Sequence, residues 1–233
     1  MVNIVITTQK NELLTIPKII PKPAYKDLPK HFKKMPADVK RGYSKFPNLR
    51  TAKHCPSFVD IFQRGILIYA HCDMYLRVNK DGTHYWEVPP FNDFYLQHHS
   101  DDQFVDYYKN SNVKKVFKII SPFEIIVPKG YSLEQVPLLY DYNPDWHIAY
   151  GVYEADKNSE VVLQLMYAST EEEIFIESGT PLCYLVPYKR EKFTYSVKEY
   201  NNKYKRKMKS EFAKLNNSFN GNYRKNIKNN DEL

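Results

Sequence analysis

From about residue 58 to residue 197 the chain reads as one strand-like run after another, several of them alternating apolar and polar positions with a period of two, separated by Pro, Gly, Asn and Asp. Period two marks an extended strand with one buried face, because successive side chains point to opposite sides. The pattern predicts strands over 66–78 (ILIYAHCDMYLRV) and 83–88 (THYWEV), joined by a hairpin turn at NKDG. It predicts one strand or two over 116–128 (VFKIISPFEIIVP), with the break at Pro122. Further strands are predicted over 131–142, 146–156, 160–169, 171–179 and 181–191. About eight strands with short turns imply an all-β fold, a single β-sandwich or jelly-roll-like body. Gly130 in PKGY and Gly179 in ESGT separate strand-like runs. A tight turn at each calls for positive φ. The polar, aromatic stretch 90–115 is longer than a usual connection and predicts a short helix near 101–108, capped by Ser100 or Asp101.

The two ends break the alternation. Prolines at 17, 21, 23, 29 and 36 interrupt residues 13–36. Each removes a backbone donor and fixes φ, which predicts an extended, polyproline-like strap in place of a regular helix or a central strand. Such a strap gains order only by lying on a surface, and Leu14, Ile16, Ile19 and Ile20 are the apolar residues that suit docking. At the other end, KEYNNKYKRKMKSEFAK (198–214) predicts a basic helix, followed by an Asn-rich tail. The expected organisation is an arm over 1–50, a β body over 51–197 and a basic, partly helical tail over 198–233.

Charge sharpens this division. Residues 1–50 hold 11 Lys or Arg against 3 acids and residues 198–233 hold 10 against 4. The ends therefore carry +8 and +6, and the overall +7 leaves −7 on residues 51–197. Basic ends on an acidic body suit contact with an acidic protein partner, with a second copy of the chain, or with a nucleic-acid backbone. The three cysteines (Cys55, Cys72, Cys183) are odd in number and far apart, which predicts free thiols in a reducing compartment. No stretch approaches the length of an apolar membrane span, and the first residues lack the pattern of a secretory signal.

Candidate chemistry is sparse. His71 and Asp73 form a His-x-Asp pair which, if it lay on one strand, would share a face, and His147 follows 76 residues later. The trio resembles the facial triad of 2-oxoglutarate-dependent oxygenases, which implies an Fe(II) site on a β scaffold. The Arg or Lys that binds the co-substrate in that family has no counterpart except Lys157, in a turn-like stretch. GVYEADKNSEVVLQL and IFIESGTPLCYLVP have the cadence of the dUTPase-like trimers, with Gly151, Val152, Glu154, Asp156 and Gly179 at matching places. That family's Arg-Ser-Gly phosphate motif and Gly-rich C-terminal motif are absent, so this resemblance implies a fold without nucleotide hydrolysis. HHSDDQ (98–103) reads as the start of the predicted helix, since adjacent histidines on a strand would face apart. No P-loop, GxSxG or HExxH motif occurs.

Three phrases carry the broadest resemblance: KHCPSFVDIFQRG (53–65), SPFEIIVPKGYS (121–132) and GTPLCYLVPYKRE (179–191). They resemble an uncharacterised family of β-rich proteins from large tailed bacteriophages, over roughly residues 24–193. The resemblance implies a structural or accessory role in the virion or its assembly and contacts with other viral proteins or with itself. It implies a place in the virion or the host cytoplasm, and it brings no catalytic residues and no cofactor.

Overall fold

A computed structural model describes residues 3–40, 48–90, 95–104, 111–139, 143–170, 173–199 and 206–207. The chain divides into two compact units, Met1–Lys34 with Ser57–Arg190 and Met35–Pro56 with Glu191–Leu233. The fold is all-β, and every strand pairing is antiparallel.

In the larger unit a five-stranded sheet has the order β13 (Gly151–Tyr153), β11 (Tyr131–Pro137), β16 (Pro181–Lys189), β5 (Ile66–Tyr69) and β2 (Lys22–Pro23). A four-stranded sheet has the order β12 (Trp146–Ile148), β14 (Val162–Tyr167), β9 (Lys115–Ile120) and β8 (Leu96–His98). A third, of three strands, has the order β15 (Glu173–Ile176), β6 (Met74–Val78) and β7 (His84–Glu87). Finally β1 (Val5–Thr7) pairs with β10 (Glu124–Ile126). One apolar cluster draws on all three larger sheets, with Ile68 and Leu133 from the first, Phe117 and Leu165 from the second, and Leu76 and Ile176 from the third.

All four residues of β5 are buried, which an ordinary half-buried strand would not show. Ile66 and Ile68 face the shared cluster, while Leu67 and Tyr69 join a second cluster with Tyr184, Ala24, Phe32 and Phe62. Phe32 comes from the short helix α1 (Lys30–Lys34) and Phe62 from α2 (Pro56–Arg64), and their rings meet edge-on with centroids 4.8 Å apart. Helical segments thus cover the far face of the sheet, so ILIYA reads as a continuous apolar run.

Two predicted strands are each divided between sheets. The run 66–78 breaks at 70–73: β5 belongs to the five-stranded sheet and β6 to the three-stranded one. The turn 177–180 breaks the partner ladder β15–β16 at the same level, and the two breaks are tied by Ala70 N donating to Thr180 O at 2.8 Å and Gly179 N to Ala70 O at 2.7 Å. The run 146–156 likewise passes from the four-stranded sheet (β12) to the five-stranded one (β13) across Ala149 and Tyr150. The hairpin at Asn79–Gly82 and the break between β9 and β10 around Pro122 are present, and the other predicted runs contain β11, β14, β15 and β16, with 140–142 and 171–172 outside the described residues. Gly82, Gly130 and Gly179 have φ of +85°, +86° and +88°, as tight turns require.

The strap differs from its expectation. Residues 13–34 form short helical turns and β2 and supply buried side chains, so Met1–Lys34 is part of the larger unit. Leu13 and Ile19 are buried against Phe123, with Ile6 and Ile20 packed beside them, while Leu14 and Ile16 face outward. Prolines exclude long elements, yet single turns closed by local hydrogen bonds such as Ile19 N to Ile16 O (3.2 Å) remain open to the chain. Two strap lysines reach an acid of the strap itself, Lys22 at 3.1 Å and Lys33 at 3.4 Å from Asp27.

In the smaller unit β3 (Asp38–Lys40) pairs with β4 (Asn48–Arg50). Thr51 closes the hairpin by donating its hydroxyl to Pro36 O at 2.7 Å. Residues 191–199 are exposed and form no helix or strand. Of the predicted helix 101–108, a single turn at Asp101–Gln103 is present and 105–110 lie outside the described residues; of the basic helix 198–214, only 206–207 are described within a helix. Among the described residues no helix is long and apolar enough to cross a membrane.

Candidate functional site

The three-stranded sheet turns one face inward and leaves the other open. On β6 the even positions Met74, Leu76 and Val78 are buried, which puts Tyr75 and Arg77 outside. By the same alternation Tyr85 and Glu87 of β7 and Glu173 and Phe175 of β15 share that outer face. The register sets Phe175 opposite Tyr75 and Tyr75 opposite Glu87, with Glu173, Arg77 and Tyr85 forming the next row. Tyr75 and Phe175 stand 4.7 Å apart between ring centroids, and Tyr75, Phe175 and Tyr85 remain 37%, 50% and 56% exposed. Two polar side chains of the face pair locally: Tyr85 donates its hydroxyl to Glu87, and Arg77 Nε donates to Asn79 Oδ1 at 3.1 Å.

The inner side of the same sheet holds the face in place. His84 and Trp86 stack with ring centroids 5.7 Å apart, His98 meets His84 edge-on at 4.6 Å, and the buried Phe117 lies beneath both. Aromatic layers of this kind bury large areas and fix ring orientation. The outer rings therefore sit on a firm sheet and their presentation costs little ordering. β15 is an edge strand, since β6 pairs with one side of it and no strand among the described residues pairs with the other. Tyrosine and phenylalanine left exposed side by side are typical of surfaces that bind protein.

The residues singled out in the sequence fall elsewhere. His71 and Asp73 do not share a strand face, because 70–73 is the corner between β5 and β6. His71 is buried beside Tyr95, with ring centroids 4.8 Å apart, and burial followed by the nearby Lys10 charge lowers its pKa to about 4. Asp73 accepts a hydrogen bond from Ser178 N at 2.8 Å and so ties the corner to the opposite turn. His147 is on β12, paired with Met166, at the wall of a 250 Å³ pocket lined by Trp146, Leu138 and Leu182, and burial lowers its pKa. Among the described residues no three or more His, Cys, Asp or Glu side chains stand close enough together to hold a metal, so His71, Asp73 and His147 do not form such a group.

Asp156, noted for the dUTPase-like cadence, is a structural anchor. It accepts from Gly130 N at 2.8 Å and pairs with Arg190, whose guanidinium also donates to Ser132 Oγ at 2.9 Å and to Tyr131 O at 3.2 Å. The Arg190 hydrogen bond holds the Asp156 carboxyl down at about 2. Glu154 pairs with Lys157, Val152 is exposed, and Gly179 serves the turn under Lys18. Of the HHSDDQ residues, His98 belongs to the ring layer above, while His99 packs on Phe104 and lies 2.9 Å from Gln103 Oε1. Burial pushes the Cys72 thiol up to about 12 and the Cys183 thiol higher, which leaves neither as a ready thiolate. Neither a protein-family model nor a curated protein sequence matches the chain.

The exposed aromatic face was missed in the sequence although its signal was there. Tyr75, Tyr85 and Phe175 occupy the outward phase of their strands, where solvent normally selects small or charged residues.

Proposed function

We propose that this chain is a non-enzymatic assembly protein whose β-sandwich or jelly-roll-like body makes subunit contacts, with a further copy of itself as the partner. The observation that carries this reading is the exposed row Phe175–Tyr75 on a firmly backed sheet, next to an unextended edge. Tyr, Phe and Arg together at an exposed site favour association, because each buries a large area with few rotatable bonds or offers several donors. The sandwich form is supported by one apolar cluster drawing on both the five-stranded and the four-stranded sheet. The phrases at 53–65, 121–132 and 179–191, which resemble proteins of large tailed bacteriophages, support a structural or accessory role in a virion or its assembly.

The test is sedimentation velocity of the purified full chain over a wide concentration range, beside a Tyr75→Ser/Phe175→Ser variant with unchanged circular dichroism. Species heavier than the 27.7 kDa chain that fall away in the variant are expected. A monomer at every concentration, or association that the variant leaves intact, overturns the self-assembly reading.

A further inference from the structure

Directly after β16 the chain continues as KFTYSVK (192–198), an alternation of apolar and polar residues as strict as in any paired strand. Phe193, Tyr195 and Val197 share one phase and are 84%, 85% and 94% exposed, while Lys192, Thr194, Ser196 and Lys198 take the other. Aromatic and β-branched residues in this phase are what a strand carries when one face is covered. Among the described residues the segment forms no helix or strand of its own and pairs with no strand.

The acceptor is as specific. The free edge of β15 is bracketed by Glu173 and Glu177, and the sequence adds Glu171 and Glu172 immediately before it, with no basic residue between 170 and 180. Residues 192–198 carry two lysines and no acid; Glu191 and Glu199 lie just outside this span. We infer that residues 192–198 of one copy add as an antiparallel strand to the β15 edge of a second copy. This inference rests on the assembly reading above and names its donor and acceptor.

Burial decides the orientation. Ile174 and Ile176 of β15 are already covered on the inner side, whereas Phe175 stands open on the outer side. The apolar phase of the donor therefore joins the outer face. Placing Tyr195 opposite Phe175 extends the aromatic row to Tyr75–Phe175–Tyr195 across three strands, a pairing that stabilises antiparallel sheets. The same register sets Phe193 opposite Glu177 and Val197 opposite Glu173 on the outer face, and Lys192 opposite Ser178 on the other. The added strand supplies main-chain hydrogen bonds to an edge, and alternate side chains set the specificity. Donor and acceptor are different surfaces, so the contact is head-to-tail: it closes into a ring or continues as a filament.

Sedimentation velocity and equilibrium of full-length variants test this, with circular dichroism confirming that each is folded. Phe193→Ser/Tyr195→Ser is expected to weaken association at least tenfold. Lys192→Glu/Lys198→Glu should weaken it as well, because the donor then brings acids to an edge already rich in glutamate. If Tyr75→Ser/Phe175→Ser abolishes association while Phe193→Ser/Tyr195→Ser leaves it unchanged, the strand-donor inference fails and the assembly reading stands. A chain that is monomeric in every form overturns both.

Discussion

Replacing Ile19 by Ala should destabilise the larger unit as a core substitution does, although Ile19 lies in a Pro-rich segment that looks dispensable in the sequence. Ile19 is 0% exposed and packs with Leu13 and Phe123, with Ile6 and Ile20 at the margin. The change removes three carbons at about 0.8 kcal/mol each, and incomplete collapse of the cavity raises the loss to about 3 kcal/mol. With a urea m value of about 2 kcal/mol per molar, the unfolding midpoint should fall by about 1.5 M at unchanged slope. Urea titration followed by far-ultraviolet circular dichroism measures this. Leu14, 50% exposed and four residues from Lys18, is the internal control, and its Ala variant should stay within about 0.5 kcal/mol of the parent. Equal shifts for Ile19→Ala and Leu14→Ala, or an unchanged midpoint after deletion of residues 1–34, would refute the placement of the strap in the core.

Gly130→Ala and Gly179→Ala should each cost about 1 kcal/mol or more, since both positions hold positive φ. Gly179→Ala should cost more in the same urea assay, because its new Cβ would meet Lys18 side-chain carbons at 3.1–3.3 Å whereas the one at Gly130 would meet nothing within 4 Å. His71 is held neutral in the fold with a pKa near 4, below its ordinary value of 6.5, so protonation favours the unfolded chain. That stability is complete above about pH 6.5 and is lost as pH falls toward 4, by about 3 kcal/mol, and a His71→Phe variant should flatten the slope of stability against pH in that window. Asp156 titrates in the opposite sense for its charge, its carboxylate favoured in the fold and its contribution lost only as pH falls from about 4 through 2. Thermal stability is expected to fall below pH 4, and Asp156→Asn should lessen that fall while leaving the slope between pH 6.5 and 4 unchanged.

Much of the strand content was legible because alternation reports directly on one-sided burial. The runs at 74–78, 84–87 and 173–176 show this. What alternation does not encode is where a strand changes sheet. In AHCD the polar and apolar residues continue the period of the flanking strands, yet the backbone turns at 70–73 because its partner ladder turns with it at 177–180. The strap was misread for a related reason. Proline spacing reports local backbone limits, while the burial of Leu13 and Ile19 depends on Phe123, about a hundred residues away. His71 and Asp73 suggested a metal because their spacing suits one face of a strand; the corner gives them separate structural tasks. The outward phase of Tyr75, Tyr85 and Phe175 is visible in the sequence, but that they form one face follows only from β15, β6 and β7 being neighbours.

Strand donation between copies is most directly tested by cross-linking chosen positions. In a Cys55→Ser background, one chain carries Phe175→Cys and another carries Tyr195→Cys. The two are mixed in their folded state and oxidised mildly, and the products are resolved under non-reducing denaturing conditions. With Tyr195 of one copy opposite Phe175 of the next, the mixture should give a covalent pair joined between positions 175 and 195, identified by peptide mass spectrometry, while neither chain alone gives it. Covalent pairs formed equally well by either chain alone, or no 175–195 linkage at concentrations where the parent chain associates, would contradict strand donation to the β15 edge.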